Sequence, residues 1–172
     1  MMDWFVRAFF KASLTWLGLG VTLGLAMAAM PAWIIYRPAH LHLNLLGFVS
    51  MMIFGVAYHV VPRFTGHPLF SRHVAAANWW LSNSGLLLLA AGFALTPHVH
   101  DTGGWLLAIG GLLSAAGAFA FIINIWRTID GPGVPAARAV EARPSLPMAD
   151  ARVPSQSTRH HMSRTIVVTG GG

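Results

Sequence analysis

Residues 40–62 read HLHLNLLGFVSMMIFGVAYHVVP, a run with no Lys, Arg, Asp or Glu. About 20 apolar residues in a helix cross the hydrocarbon core of a bilayer, so this run predicts a transmembrane helix. Working outward, three further stretches meet the same requirement: residues 14–35 (with a start as early as Phe9), 74–97 and 104–126. The breaks between them carry ordinary stop signals. These are Arg37-Pro38, Pro62-Arg63 through Gly66-His67-Pro68, Pro97 through Gly103-Gly104, and Asp130-Gly131-Pro132. Trp4, Trp33, Tyr36, Trp79, Trp80, Trp105 and Trp126 fall mostly near span ends, where interfacial aromatics sit. The expected fold is all-α, a four-helix transmembrane bundle.

Composition agrees. Of 172 residues, 55% are hydrophobic and 9% charged, against about 25% charged in soluble domains. Residues 1–130 have room for one membrane domain and no second globular one. Residues 131–172 are rich in Pro, Ala, Arg and Ser and read as a disordered basic tail. The first apolar run is too long for a cleavable signal peptide. No internal repeat is evident. The absence of cysteine excludes disulfides, thiolate metal sites and thiol catalysis. The net charge of +6 sits at helix ends and in the tail, which reads as membrane topology and not as a nucleic-acid surface.

Those basic residues set an expected orientation. Arg7 and Lys11 precede the first span, Arg63 and Arg72 flank the loop after the second, and Arg127 and the tail arginines follow the fourth. Arg37 alone lies on the opposite side. The N-terminus, middle loop and tail are therefore expected in the cytoplasm of a bacterium, with the chain in its inner membrane. The loops at residues 36–39 and 98–103 then face outward.

This topology sorts the nine histidines. His40, His42, His98 and His100 fall at the outer end. His59, His67 and His73 fall at the inner end, and His160-His161 lie in the tail. Histidines at a water interface often bind nothing, but four imidazoles at one membrane depth also suit a metal or haem site. At 3.6 residues per turn, His40 and His42 point about 200° apart, so one pocket cannot take both. His40 shares a face with Asn44, Gly47, Met51 and Tyr58. His42 shares one with Leu46, Val49, Ile53, Val56 and Val60, a lipid-like or packing face. His40 is the better interior ligand, and Gly47, two turns on, leaves room for a flat macrocycle. His59 is read as an interfacial residue within reach of Asn78 or Asn83. His67, His73 and the tail pair carry no site.

Arg37-Pro38-Ala39-His40, followed by Tyr58-His59-Val60-Val61-Pro62-Arg63, resembles the second helix of subunit I in the haem–copper oxidase superfamily. The likeness is greatest to cbb-type oxidases and nitric oxide reductases. Ser71-Arg72-His73 with Asn78-Trp79-Trp80-Leu81 is similar to the start of that family's third helix. Gly110-Gly111 through Asn124-Ile125-Trp126-Arg127-Thr128-Ile129 is similar to its fourth. The resemblance covers roughly residues 10–129. It implies that His40 is an axial ligand of a haem b near the outer surface. His42 stands where the family often has asparagine. The later helices that carry the family's second low-spin ligand, high-spin ligand and copper-binding histidines have no counterpart here. The resemblance therefore implies no binuclear centre and no oxygen or nitric oxide reduction by the chain alone.

Three functional expectations follow. The first is a haem b protein for electron transfer or diatomic gas (NO or O2) sensing, with His40 as ligand and Arg37 either pairing with a propionate or simply marking the membrane interface. Its second ligand is His98, then His100, or His40 of a second copy in a homo-oligomer; a five-coordinate haem leaves an open site for gas. The second is a copper-binding accessory or assembly protein using His40-Leu41-His42 and His98-Val99-His100. The third is a structural subunit of a larger complex with no cofactor. The expected surroundings are membrane lipid and a respiratory-complex partner, and no nucleic acid.

Overall fold

The computed structural model describes residues 2–131, and the tail expected to be disordered lies outside them. The described residues form four long helical stretches and no strand. They are α1 (Trp4–Ala29), α2 (Pro31–Thr65), α3 (Arg72–Leu95) and α4 (His100–Asp130). α1, α2 and α4 are long and apolar enough to cross a membrane. α3 is long enough too, but Asn78, Ser82, Asn83 and Ser84 make its first half more polar.

Every helix starts before its hydropathy window; α2 and α4 also run past its end, whereas α1 stops at Ala29, short of residue 35, and α3 at Leu95, short of residue 97. α1 begins near Trp4, well before residue 14. Arg7 and Lys11 interrupt the apolar run in sequence, yet they share one exposed face. Phe5, Val6, Phe9 and Ser13 occupy the other and are buried to within 1%. α1 ends at Met30, held in an extended conformation (φ −128°, ψ 95°) before Pro31. Proline disfavours helical geometry in its predecessor and has no N–H to continue the ladder.

Pro38 and Pro62 do not break α2. Pro38 sits in the first turn of an α segment, where a missing N–H costs nothing. Pro62 lies inside the last turns, and the helix ends instead at Gly66 in the left-handed region (φ 71°). α2 changes pitch along its length. It is 3₁₀ over Pro31–Tyr36, α over Arg37–His42, π over Leu43–Ser50 and α over Met51–Thr65. Its buried stripe runs Ala39, Leu43, Gly47, Met51, Gly55, Tyr58. The four-residue steps across the middle match the wider π turns, and the final three-residue step returns to α spacing.

α3 and α4 share the most extensive interface. Ala75, Asn78, Ser82, Gly85, Leu89 and Gly92 of α3 are buried at alternating steps of three and four. Gly103, Gly110, Gly117 and Asn124 of α4 are buried every seventh residue. This is a coiled-coil seam built on small residues, which let backbones touch in a membrane where water cannot drive helices together. A Cβ on Gly110 would lie 2.7 Å from the Leu89 backbone nitrogen, and one on Gly85 2.6 Å from that of Ser114. The seam is a repeat that the sequence reading passed over.

Polar ties fix which ends meet. Tyr36 and His98 are hydrogen-bonded at 3.0 Å, joining the α1–α2 and α3–α4 turns at one end. At the other end, Arg72 pairs with Asp3. There too the Asn124 amide accepts from the Ser71 N–H (3.0 Å) and donates to its carbonyl (2.9 Å), and Thr128 Oγ1 accepts from the Phe70 N–H (3.0 Å). His40, His42, His98 and His100 thus lie at the opposite end of the bundle from His59, His67 and His73.

Candidate functional site

His40 follows directly from how α1 and α2 cross. Gly20 and Gly24 lie one turn apart on α1, a Gly-x-x-x-Gly spacing that opens a notch. Asn44 and His40 of α2 fill it. A Cβ on Gly20 would meet the Asn44 amide at 2.6 Å, and one on Gly24 would meet His40 Cε1 at 2.8 Å. His40 Nδ1 stands 2.9 Å from the Gly20 carbonyl oxygen. A carbonyl only accepts, so Nδ1 must be the donor, and in the neutral ring the lone pair then sits on Nε2. Asn44 braces the His40 backbone by donating to the His40 carbonyl at 2.8 Å. The π-helical turns begin at the next residue but two, Leu43. Such turns often accompany functional sites.

The face assignment holds in part: Leu46 and Val60 of the His42 face are half-buried, Leu46 against the core cluster. Gly47, Met51 and Tyr58 are buried on the His40 side, whereas Val49, Ile53 and Val56 on the His42 side are exposed. His42 turns to α3 instead, its ring 4.6 Å from that of Phe93, and its Nδ1 donates to the Pro38 carbonyl at 2.8 Å. Gly47 departs from expectation. The room it was expected to leave for a macrocycle is taken by Trp16 and Leu86, which a Cβ there would meet at 2.6 and 2.9 Å. Gly47 therefore lets α1 and α3 approach α2.

The two remaining histidines at this end have settings of their own. His98 is exposed and engaged by the Tyr36 hydroxyl. His100 is exposed at the start of α4, on a shallow depression with Asp101, Gly104 and Trp105. Arg37 is exposed and makes no ion pair among the described residues. Among those residues, no group of three or more His, Asp or Glu side chains is placed to hold a metal ion. A four-histidine copper site is thus not assembled within one chain.

At the other end of the bundle His59 meets neither asparagine expected for it. Asn78 donates to the Tyr58 hydroxyl at 3.1 Å, and Asn83 accepts from Trp16 Nε1 at 3.0 Å. Tyr58, one residue earlier and about 100° around the helix, is the residue that faces α3. Gly20 and Gly24 are the site residues that the sequence reading missed. Their spacing was the available signal.

No protein-family profile matches the chain, and neither does a solved structure. The chain is similar to the cytochrome c oxidase subunit 1 homolog of Agrobacterium tumefaciens (strain T37). The two are 27% identical over 136 residues, covering 64% of this chain and 25% of that protein. It is also similar to cytochrome c oxidase subunit 1 of Rhodobacter capsulatus, 25% identical over 115 residues, covering 52% of this chain and 22% of that one. The chain spans about a quarter of the length of these relatives. It is a multi-pass helical membrane protein with a distant, partial similarity to cytochrome c oxidase subunit 1.

Proposed function

We propose that the chain binds haem b through His40 Nε2 and serves electron transfer or diatomic gas handling in a respiratory membrane. The observation that carries this reading is the Gly20 carbonyl 2.9 Å from His40 Nδ1. Iron-ligating histidines characteristically donate their other ring N–H to a carbonyl or carboxylate, which selects the tautomer and raises ligand basicity. His40 has that arrangement, and Gly24 leaves the ring no space to turn toward α1. The distant likeness to cytochrome c oxidase subunit 1 points the same way. Bound haem would supply reversible one-electron chemistry or an iron to which a diatomic gas binds. The protein's part is to hold the imidazole as a lone-pair donor and to exclude water with the apolar walls of α1 and α2. His98 is the proposed partner ligand, on release from Tyr36.

In this reading the His40 end faces outward from the bacterial inner membrane and both termini are cytoplasmic. The test is haem content. Protein purified in detergent should give a b-type pyridine haemochrome. His40→Ala should remove it with helicity unchanged, and His59→Ala should retain it. A chain purified without haem from haem-replete cells would refute the reading.

A further inference from the structure

Deep in the bundle, Leu46, Ser50, Met51 and Phe54 of α2, Ser82 of α3, and Ser114 and Ala118 of α4 surround a cavity of about 90 Å³. Its hydroxyls are unevenly served. Ser50 donates to the Leu45 carbonyl at 2.9 Å, five residues back across the π turn, so toward the cavity it can only accept. Ser82 donates to Asn78 Oδ1 at 2.9 Å and is likewise an acceptor there. The Ser114 hydroxyl is buried without a partner. Several other Ser and Thr side chains in this bundle return their proton to the carbonyl four residues earlier. Ser84, Thr96 and Thr128 do so at 2.7 Å. Ser114 does not return its proton to Gly110, whose carbonyl is pressed against Gly85.

The cavity wall therefore offers one donor, Ser114, and two acceptors, Ser50 and Ser82. We infer that it is a binding site for water. A water accepting from Ser114 and donating to both other serines makes the three hydrogen bonds typical of buried solvent, and at roughly 30 Å³ each there is room for about three. Bound water would extend the chain Tyr58–Asn78–Ser82 to Ser114, linking α2, α3 and α4 by hydrogen bonds in the middle of the membrane. Asn78 lies in that chain and its amide neither gains nor loses a proton, so the site fixes solvent and does not conduct protons. The inference is independent of haem.

Radiolytic labelling tests it, because X-rays generate hydroxyl radical from trapped water in place. Met51 lines the cavity and is 1% exposed, whereas Met30 is 45% exposed. With the full chain in lipid nanodiscs, Met51 should be oxidised as readily as Met30. Ser114→Val, which fills the cavity and removes its donor, should lower Met51 oxidation severalfold and leave Met30 unchanged. Ser50→Ala, on the more exposed wall, should lower it to a smaller extent and serves if the valine variant does not fold. An unoxidised Met51 in the wild-type chain overturns the inference. So does a Met51 rate that neither variant changes.

Discussion

Glycine brings two helix pairs together in this bundle, and the two crossings use it for opposite purposes. Along α3–α4 the space that Gly85 and Gly110 leave is filled mainly by the neighbouring backbone, Ser114 N, Gly110 O, Leu89 N and Gly85 O, together with the small Ser114 hydroxyl and Leu88 Cβ. At the α1–α2 crossing the space at Gly20 and Gly24 is filled by side chains, the Asn44 amide and the His40 ring. The first arrangement maximises contact between backbones. The second buries polar atoms at a cost that is met only if each finds a partner, and Gly20 supplies one from its own carbonyl. A glycine notch lined by backbone is packing, and one occupied by an imidazole is a holder.

The sharpest way to break this contrast is to fill each notch. Gly110→Leu should be the most damaging substitution in the molecule. Its side chain must displace the α3 backbone, which has no rotamer to yield, and overpacking of this kind costs about 1–3 kcal/mol or more. Thermal or denaturant unfolding in detergent should shift strongly, with loss of folded yield as the extreme. Gly24→Ala should behave differently. Its methyl would meet an imidazole edge at 2.8 Å, and a side chain can rotate away. Stability should move little, but the Nδ1–Gly20 bond should loosen. On the haem reading, affinity should fall roughly tenfold, as when a ligand's outer partner is removed. Equal loss of stability in both variants would abolish the distinction.

Much of this was legible in the residues. Hydropathy found four helices, and the sorting of histidines by end survives in the Tyr36–His98 tie. The 3.6-residue face that put His40 inward with Met51 and Tyr58 holds despite the π turns between them. What escaped has physical reasons. Averaged hydropathy discards phase, so Arg7 and Lys11 hid a helix start whose opposite face is core. Glycine counts as a weak apolar residue on any such scale, so the heptad of Gly103, Gly110 and Gly117 read as bland. Gly47 was read as vacant space because one helix's sequence cannot show that Trp16 and Leu86 converge on it. The asparagines went to Tyr58 and Trp16 because pairing is decided by rotation and depth, and one residue's shift moves a side chain by about 100°.

The weakest link between the two halves gives the smallest expected effect and tests whether packing alone joins them. Arg72 at the start of α3 pairs with Asp3, which precedes α1; their side chains are 69% and 36% exposed. Exposed pairs of this kind are screened by solvent and contribute about 0–1 kcal/mol. Deeper in, Trp16 of α1 donates to Asn83 of α3 at 3.0 Å, and Phe5, Phe9 and Trp16 belong to the apolar cluster that also holds Leu86 and Trp79. Arg72→Ala should therefore leave the unfolding midpoint within about 1 kcal/mol of wild type, with no dependence on added salt. A larger loss would mean that the halves are held by charge at the membrane surface, and that the apolar cluster is too loosely packed to hold the α1–α2 notch in register with α3.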